Sequence, residues 1–211
     1  MKRLVIIGAS ALGREVCSYA EECGMRVKGF LDTRSDILEG FSGYPPLLAP
    51  PDGYRIADGD VFVSATGDPA MKMKYAAMLE ARGAKFATVV HHTAYVGKNV
   101  QLADGCVICP NASLTNDISL SRHVVVNVAA VINHDNMIGE GSTISPGVQL
   151  GGRVRLGKRV FVGIGATVMP DIKLGDDVVV GAGAVVVRSS EGGVLVGVPA
   201  RQRPFERGAG Q

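Results

Sequence analysis

Tryptophan is absent from the sequence, and aromatic residues of any kind make up only 5% of its 211 positions. Charge of one sign is lacking too: 22 basic against 20 acidic residues leave a formal +2, which gives neither a broad cationic face for a phosphate backbone nor an acidic tail. Nucleic acid is therefore not expected as a partner. No window reaches the ~18 apolar residues of a membrane span, so no membrane insertion is expected either. The four cysteines, Cys17, Cys23, Cys106 and Cys109, are too few to staple a chain of this length, and a reducing compartment is the expectation. Although glycine is abundant at 28 residues, a Gly-X-Y period is missing, which excludes a collagen-like chain and points to frequent tight turns. What is present, 46% hydrophobic with 20% charged residues, suffices to bury one or two cores.

Residues 1–15 have the basic start, apolar stretch and small Ala9-Ser10-Ala11 of a secretory signal. Arg14 and Glu15 follow at once, however, and helical periodicity resumes beyond them, so a cytoplasmic location is expected. From residue 2 to about 86, apolar runs at 4–7, 27–31 and 61–65 alternate with helical patterns at 14–22 and 70–82. That alternation predicts a small α/β unit with parallel strands. The stretch Tyr44-Pro45-Pro46-Leu47-Leu48-Ala49-Pro50-Pro51 predicts a surface connection within it, since proline serves neither a central strand nor a helix interior.

Beyond residue 90 an aliphatic residue stands at every sixth position, from Val96, Leu102 and Ile108 to Val180 and Val186, sixteen in succession. Two residues earlier in each hexad runs a second, mostly small or β-branched series, from Ala94 and Val100 to Val178 and Ala184. A spacing of two fits one face of a strand, so both series face inward, and the return at six forces a turn before the next strand. Glycines directly after the aliphatic residue, at 97, 139, 151, 157, 163, 175 and 181, are expected to help that turn. These hexads resemble the hexapeptide-repeat acyltransferases. The resemblance implies a left-handed parallel β-helix of triangular section with 18 residues per coil, hence five coils with one hexad over. The α/β unit and the segment after Val186 are the expected caps of the solenoid's ends.

Three groups of residues suit chemistry. Gly8-Ala9-Ser10-Ala11-Leu12-Gly13, between a strand and a helix, is a partial GxGxxG in which Ser10 replaces the middle glycine; backbone N–H groups there can face a phosphate. Asp32, 24 residues beyond Gly8 at the end of the next strand, stands where a ribose-binding acid would. A full NAD domain needs more strands than this segment supplies, so a dehydrogenase is not expected. In the solenoid, inward Ile132 puts His134 on the outside with Asp135 after it, an imidazole and acid suited to general-base work. Given 18-residue coils, Gly152 stands in the column of His134 with no side chain of its own to obstruct a ligand. Lys158, Arg159, Arg201 and Arg203 are available to phosphates, although ordinary solvation accounts for each singly as well. Cys106-Val107-Ile108-Cys109 is half a zinc knuckle without a second half, and the hexad accounts for both cysteines. His91, His92, His123 and His134 invite comparison with a γ-type carbonic anhydrase, but no two are 18 or 36 residues apart, so no metal is expected.

Nearly the whole chain resembles bacterial acetyltransferases of nucleotide-linked amino sugars and the related sialic acid O-acetyltransferases. The resemblance rests on Val126-Asn127, Ile132-Asn133-His134-Asp135, Ile138-Gly139, Ser145-Pro146-Gly147, Leu150-Gly151-Gly152 and the tail Val196-Gly197-Val198-Pro199-Ala200-Arg201. It implies a Rossmann-like sugar-nucleotide domain at 1–88, a β-helix acyltransferase domain with a C-terminal cap at 89–211, and a homotrimer with sites between subunits. It implies further that His134 is the base, that Asp135 raises its basicity, that Asn127 lies near the reacting group and that Gly152 donates to the oxyanion. Acetyl-CoA is the implied co-substrate, along Thr143, Gly152, Ile164, Ala182, Pro199 and Arg201. The sugar nucleotide falls at Gly8, Ser10, Ala11, Leu12, Asp32, Thr33 and Gly67. Two positions depart from the family pattern: Ser10-Ala11-Leu12 replaces Ser-Gly-His, and Thr143 stands where a second histidine is common. Leu12 offers only apolar contact, which points to a 6-deoxy sugar. The expected activity is N-acetylation of a nucleotide-linked amino sugar, such as a 4-amino-6-deoxy sugar, for cell-surface glycan or lipopolysaccharide synthesis. O-acetylation of a sialic acid or similar hydroxyl, and a non-catalytic scaffold with no need of His134, are the alternatives.

Overall fold

The computed structural model describes residues 2–203, so the outermost residues of both expected domains, 1 and 204–211, lie outside the description. Four strands, β1 (Arg3–Ile7), β2 (Val27–Leu31), β3 (Leu47–Ala49) and β4 (Asp60–Ser64), pair in parallel in the order β3-β2-β1-β4. Helix α1 (Ala11–Glu22) crosses from β1 to β2, and α2 (Pro69–Glu80) follows β4. The unbroken aliphatic run of β1 suits a central parallel strand, which is covered on both faces. On one face Leu4, Ile6, Phe30 and Val63 meet Val16, Cys17 and Ala20 of α1; on the other Val5, Ile7, Leu31 and Phe62 meet Tyr54 and Leu79 of α2. The proline-rich connection departs from expectation, because its Leu47–Ala49 forms edge strand β3 and the Pro46 carbonyl accepts from Phe30 N at 3.0 Å. Flanking prolines are tolerated there since an edge strand leaves one side unpaired.

Seventeen two-residue strands follow, from β5 (Val89–Val90) to β21 (Val185–Val186), and strands 18 residues apart pair in parallel, as Val125 with Thr143 and Val131 with Gln149. They sort into three sheets around one apolar core. The solenoid therefore starts one hexad earlier than Val96 suggested. From Cys106 to Val186 both inward rows are buried.

From β6 (Tyr95–Val96) onward each turn between solenoid strands uses a left-handed residue. It recurs at every sixth position from Asn99, Gly105, Asn111 and Asp117 through Asp135 (φ 61°) to Asp177 and Gly183. Asparagine, aspartate and glycine dominate, the residues for which this conformation costs least. The glycines directly after the aliphatic residues do a different job from the one expected, for none of them has a positive φ. A Cβ on Gly97 would stand 1.8 Å from the Thr115 carbonyl oxygen, and one on Gly139 2.3 Å from that of Gly157, so these glycines let successive coils approach.

The α/β unit does not plug the solenoid's end as expected; it lies along one sheet. Outward-facing Val89, Val107 and Val125 of that sheet are at most 1% exposed because they join the core cluster of α1. The physical reason is that these outward positions are aliphatic, whereas another sheet presents Gln101, Ser119, Arg155 and Lys173, which water can cover. The C-terminal segment does cap. β22 (Val194–Val196) joins the covered sheet in parallel and puts Leu195 into the core, and β23 (Arg201–Arg203) pairs with it antiparallel. No described helix is long and apolar enough to cross a membrane.

Candidate active site

Three strands make a coil, so the turns stack into three edges. The first edge carries Asn127, Ile164 and Ala182; the second carries His134, Gly152 and Pro170; the third carries Lys158, Arg159, Asp176 and Asp177. On the second edge, the left-handed Asp135 turns its carboxylate onto the preceding side chain, and His134 Nδ1–H donates to Asp135 Oδ2 at 2.7 Å. A carboxylate only accepts, so this bond sets the tautomer and leaves Nε2 with a free lone pair. The His134 side chain is 52% exposed, which keeps that nitrogen open to an incoming group.

The imidazole lies over Gly152 of the next coil, where a Cβ would stand 2.6 Å from His134 Cε1 and 2.7 Å from Nε2. Glycine is what makes room for the ring. The Gly152 N–H has no acceptor among the described residues. The column explains this. At equivalent hexad positions Lys98 N donates to Asn116 Oδ1 and Lys158 N to Asp176 Oδ1, each one coil on, whereas one coil beyond Gly152 stands Pro170, which has no side-chain acceptor. A free N–H beside a free imidazole nitrogen can hold a developing oxyanion while a nucleophile loses its proton.

Other expected cofactor residues lie elsewhere. Asn127 Oδ1 accepts from Val128 N at 2.7 Å, which leaves Nδ2 unengaged among the described residues. Ile164, 62% exposed, and Ala182 share that first edge, so a whole sheet separates all three from His134 within one chain. Thr143 is on the covered sheet at 3% exposure, and its Oγ1 accepts from Lys72 Nζ at 2.8 Å. The same Nζ donates to the Ser142 carbonyl at 3.1 Å, and complete burial pushes the Lys72 pKa down to about 7. Pro199 and Arg201 lie at the solenoid's C-terminal end, where Arg201 and Arg203 make no ion pair among the described residues; Arg159 is held by Asp177 at 2.6 Å. Glu22, His91 and His92 bring donor atoms within 4.8 Å of one another, yet both His91 nitrogens are engaged, by Glu22 Oε2 at 2.7 Å and Thr93 Oγ1 at 2.8 Å.

A second candidate site is a cleft of about 200 Å³ at the carboxyl ends of β1, β2 and β4, lined by Gly8, Ser10, Asp32, Thr33, Arg34, Thr66, Met71 and Tyr75 among others. Ser10 precedes α1 without making a side-chain cap bond, so its hydroxyl and the helix's first N–H groups remain for a ligand. Asp32 is less available than its position suggested. Its Oδ2 accepts from Ala9 N at 3.0 Å and Arg34 Nη2 at 3.1 Å, and its Oδ1 from Arg34 N and Nε, both at 3.1 Å. Burial raises its pKa, but these donors outweigh that and hold the carboxyl below its ordinary range. Asp32 therefore ties the Gly8 loop to β2 and pins the 55%-exposed Arg34 guanidinium at the cleft. Ala11 and Gly67 do not line the cleft, and neither does Leu12, which packs on the α1 core cluster. Arg34 escaped the sequence reading because a loop has no period to mark it. Lys72 had a signal, since Lys72, Ala76 and Leu79, the buried residues of α2, are spaced as one helical face.

Residues 3–79 match the PglD N-terminal domain, and residues 153–188 match the bacterial transferase hexapeptide (six repeats). Among solved structures, the acetyltransferase domain of PglB from Neisseria gonorrhoeae FA1090 is 27% identical, with a TM-score of 0.89 over 96% of this chain and 100% of that one. Perosamine N-acetyltransferase from Caulobacter crescentus, as a histidine-to-asparagine variant in complex with CoA and GDP-perosamine, is 27% identical at a TM-score of 0.88, covering 97% of this chain and 98% of that one. WeeI from Acinetobacter baumannii AYE is 27% identical at 0.85 over 96% and 100%. No curated protein sequence matches the chain. The structural likenesses span both the α/β unit and the solenoid.

Proposed function

We propose that this chain, a PglD N-terminal domain joined to transferase hexapeptide repeats, is an acetyl-CoA-dependent N-acetyltransferase of a nucleotide-linked amino sugar. The observation that carries this reading is His134 Nδ1 held by Asp135, with Nε2 free beside the unengaged Gly152 N–H. As the sugar nitrogen attacks the thioester carbonyl carbon, its proton passes to His134 Nε2, and the carbonyl oxygen, becoming an oxyanion, accepts from Gly152 N–H. Collapse breaks the C–S bond; the thiolate of coenzyme A takes the proton from the imidazolium and the N-acetyl sugar remains. Asp135 keeps Nδ1 protonated and the ring oriented, as a carboxylate does for other catalytic imidazoles. The CoA and GDP-perosamine named with the Caulobacter enzyme support the same two ligand classes for this chain.

The sugar nucleotide lies in the cleft at Gly8, Ser10 and Arg34, within a domain of residues 1–88, and coenzyme A lies on the β-helix domain of 89–211. The expected site residues stand on two edges that one chain keeps apart, so the working molecule is a homotrimer in which the first edge of one copy meets the second edge of the next. It acts in the cytoplasm and feeds cell-surface polysaccharide such as lipopolysaccharide. The test is thiol release from acetyl-CoA with UDP-, GDP- and dTDP-linked 4-amino-6-deoxy sugars, with mass spectrometry of the product. One acetyl group on the sugar nitrogen is the expected result; acetylation only of sugar hydroxyls, or no thiol release with any acceptor, overturns it.

A further inference from the structure

We propose that Asn136 is the positioning residue of the acetyl-transfer site: from inside the core it fixes the turn of the base against the peptide that donates to the oxyanion. The proposal rests on the acetyltransferase reading above. Asn136 occupies an inward hexad position whose counterparts include Val124, Ala130 and Val148, and it is 0% exposed. Burying a carboxamide among aliphatic side chains is unfavourable unless hydrogen bonds compensate. Its Oδ1 has no partner at all among the described residues. Compensation comes from Nδ2 alone, which donates to the carbonyls of Asn133 at 2.6 Å and Gly151 at 2.8 Å, with that of His134 at 3.4 Å.

Those carbonyls bracket the chemistry. The Gly151 carbonyl and the Gly152 N–H are two ends of one planar peptide unit, so a donor on the first sets the direction of the second and polarises it. The Asn133 carbonyl belongs likewise to the peptide that leads into His134. Turns on the first edge are closed by their own backbone, with Ala112 N donating to Cys109 O, Ala130 N to Asn127 O and Val148 N to Ser145 O. No such bond closes the second-edge turns 115–118, 133–136, 151–154 and 169–172, and only in 133–136 does a side chain, that of Asn136, span the turn instead. Other polar inward residues reach only onward: Ser142 Oγ donates to the Gly157 carbonyl and Cys106 Sγ to that of Ser121, each 15 residues on. Asn136 makes that onward bond and spans its own turn as well.

The experiment compares Asn136→Ala and Asn136→Ser with wild type. Both fold, because Ala130 and Ser142 already fill the equivalent position; circular dichroism and thermal unfolding confirm it. Asn136→Ala is expected to lower kcat about 10²-fold, the scale of weakening one oxyanion donor, with both KM values nearly unchanged. Asn136→Ser, whose hydroxyl can reach the Gly151 carbonyl as Ser142 reaches Gly157, is expected to recover about ten-fold of that loss. The Gly152 amide resonance in a TROSY spectrum is expected to move in Asn136→Ala while that of Gly157 stays. Wild-type kcat in folded Asn136→Ala overturns the proposal. Should wild type itself release no thiol, the acetyltransferase reading fails on its own account, and an unmoved Gly152 amide then overturns the tether.

Discussion

The contacts that join His134, Asp135 and Gly152 are ones that single residues control. A methyl group at Gly152 would sit 2.6 Å from His134 Cε1, so in Gly152→Ala the ring must leave its place over the peptide or the peptide must shift. The expected result is a loss of about 10²-fold or more in kcat with the fold intact, read by steady-state kinetics beside circular dichroism. Undiminished turnover would place the acetyl group elsewhere. In Asp135→Asn the left-handed turn survives, because asparagine tolerates it, but the carboxamide can donate to Nδ1 and trap the proton on Nε2. An imidazole so arranged cannot accept a proton, and kcat is expected to fall by about 10²- to 10⁴-fold. A variant within two-fold of wild type would show that Asp135 serves the turn alone. This much of the site was legible in the sequence, since period six puts Ile132 inward, His134 outward and Gly152 one coil on. The role of Asn136 was not, because its carbonyl partners come together only when two coils stack; the sequence shows merely a polar break in an inward row. Arg34 saturating Asp32 is a loop contact of the same illegible kind.

The two-residue strands and their turns follow from a repeated pattern, which is why the solenoid was readable where the α/β unit was readable only in outline. The edge strand at Leu47–Ala49 was missed because prolines on both sides argue against a strand, and they argue correctly only for a central one. Helix α2 shows where residue type misleads although the period is right: its buried face carries Lys72 to Thr143. In the unfolded chain this lysine titrates near 10.5, and in the fold near about 7, so between those values the unfolded state binds the extra proton. Stability therefore rises as pH climbs through that window, and the cost of holding a buried charge is present in full below it. Lys72→Met removes the group and keeps an unbranched apolar stem. Its melting temperature is expected to exceed that of wild type most at pH 6 and least at pH 10, by scanning calorimetry. An equal difference at both pH values would mean that Lys72 keeps its ordinary protonation behind α2.

At the scale of the molecule, the α/β unit takes one of three sheets, and the first and second edges then bound a sheet that it leaves open. Exposed apolar side chains are spread along that sheet and its two edges, from Tyr95 at 59% on its first strand to Ile164 at 62%, Met169 at 45% and Val187 at 42% towards its last. A second copy lying along the sheet would cover them. If copies meet there around a three-fold axis, each site combines His134 of one chain with Asn127 of the next, a head-to-tail contact that closes as a ring. Light scattering should then report a trimer, and two defective chains should rescue each other. His134→Ala and Asn127→Ala, each expected to lose about 10²-fold or more alone, are co-expressed in equal amounts and purified together as the statistical mixture of trimers. A junction in such a mixture holds both intact residues with a chance of one half times one half, so about a quarter of wild-type activity is expected to return. Sites built within one chain would give a different result. Every chain in the mixture then carries one lesion, and activity no higher than the mean of the two separate variants would refute the shared site.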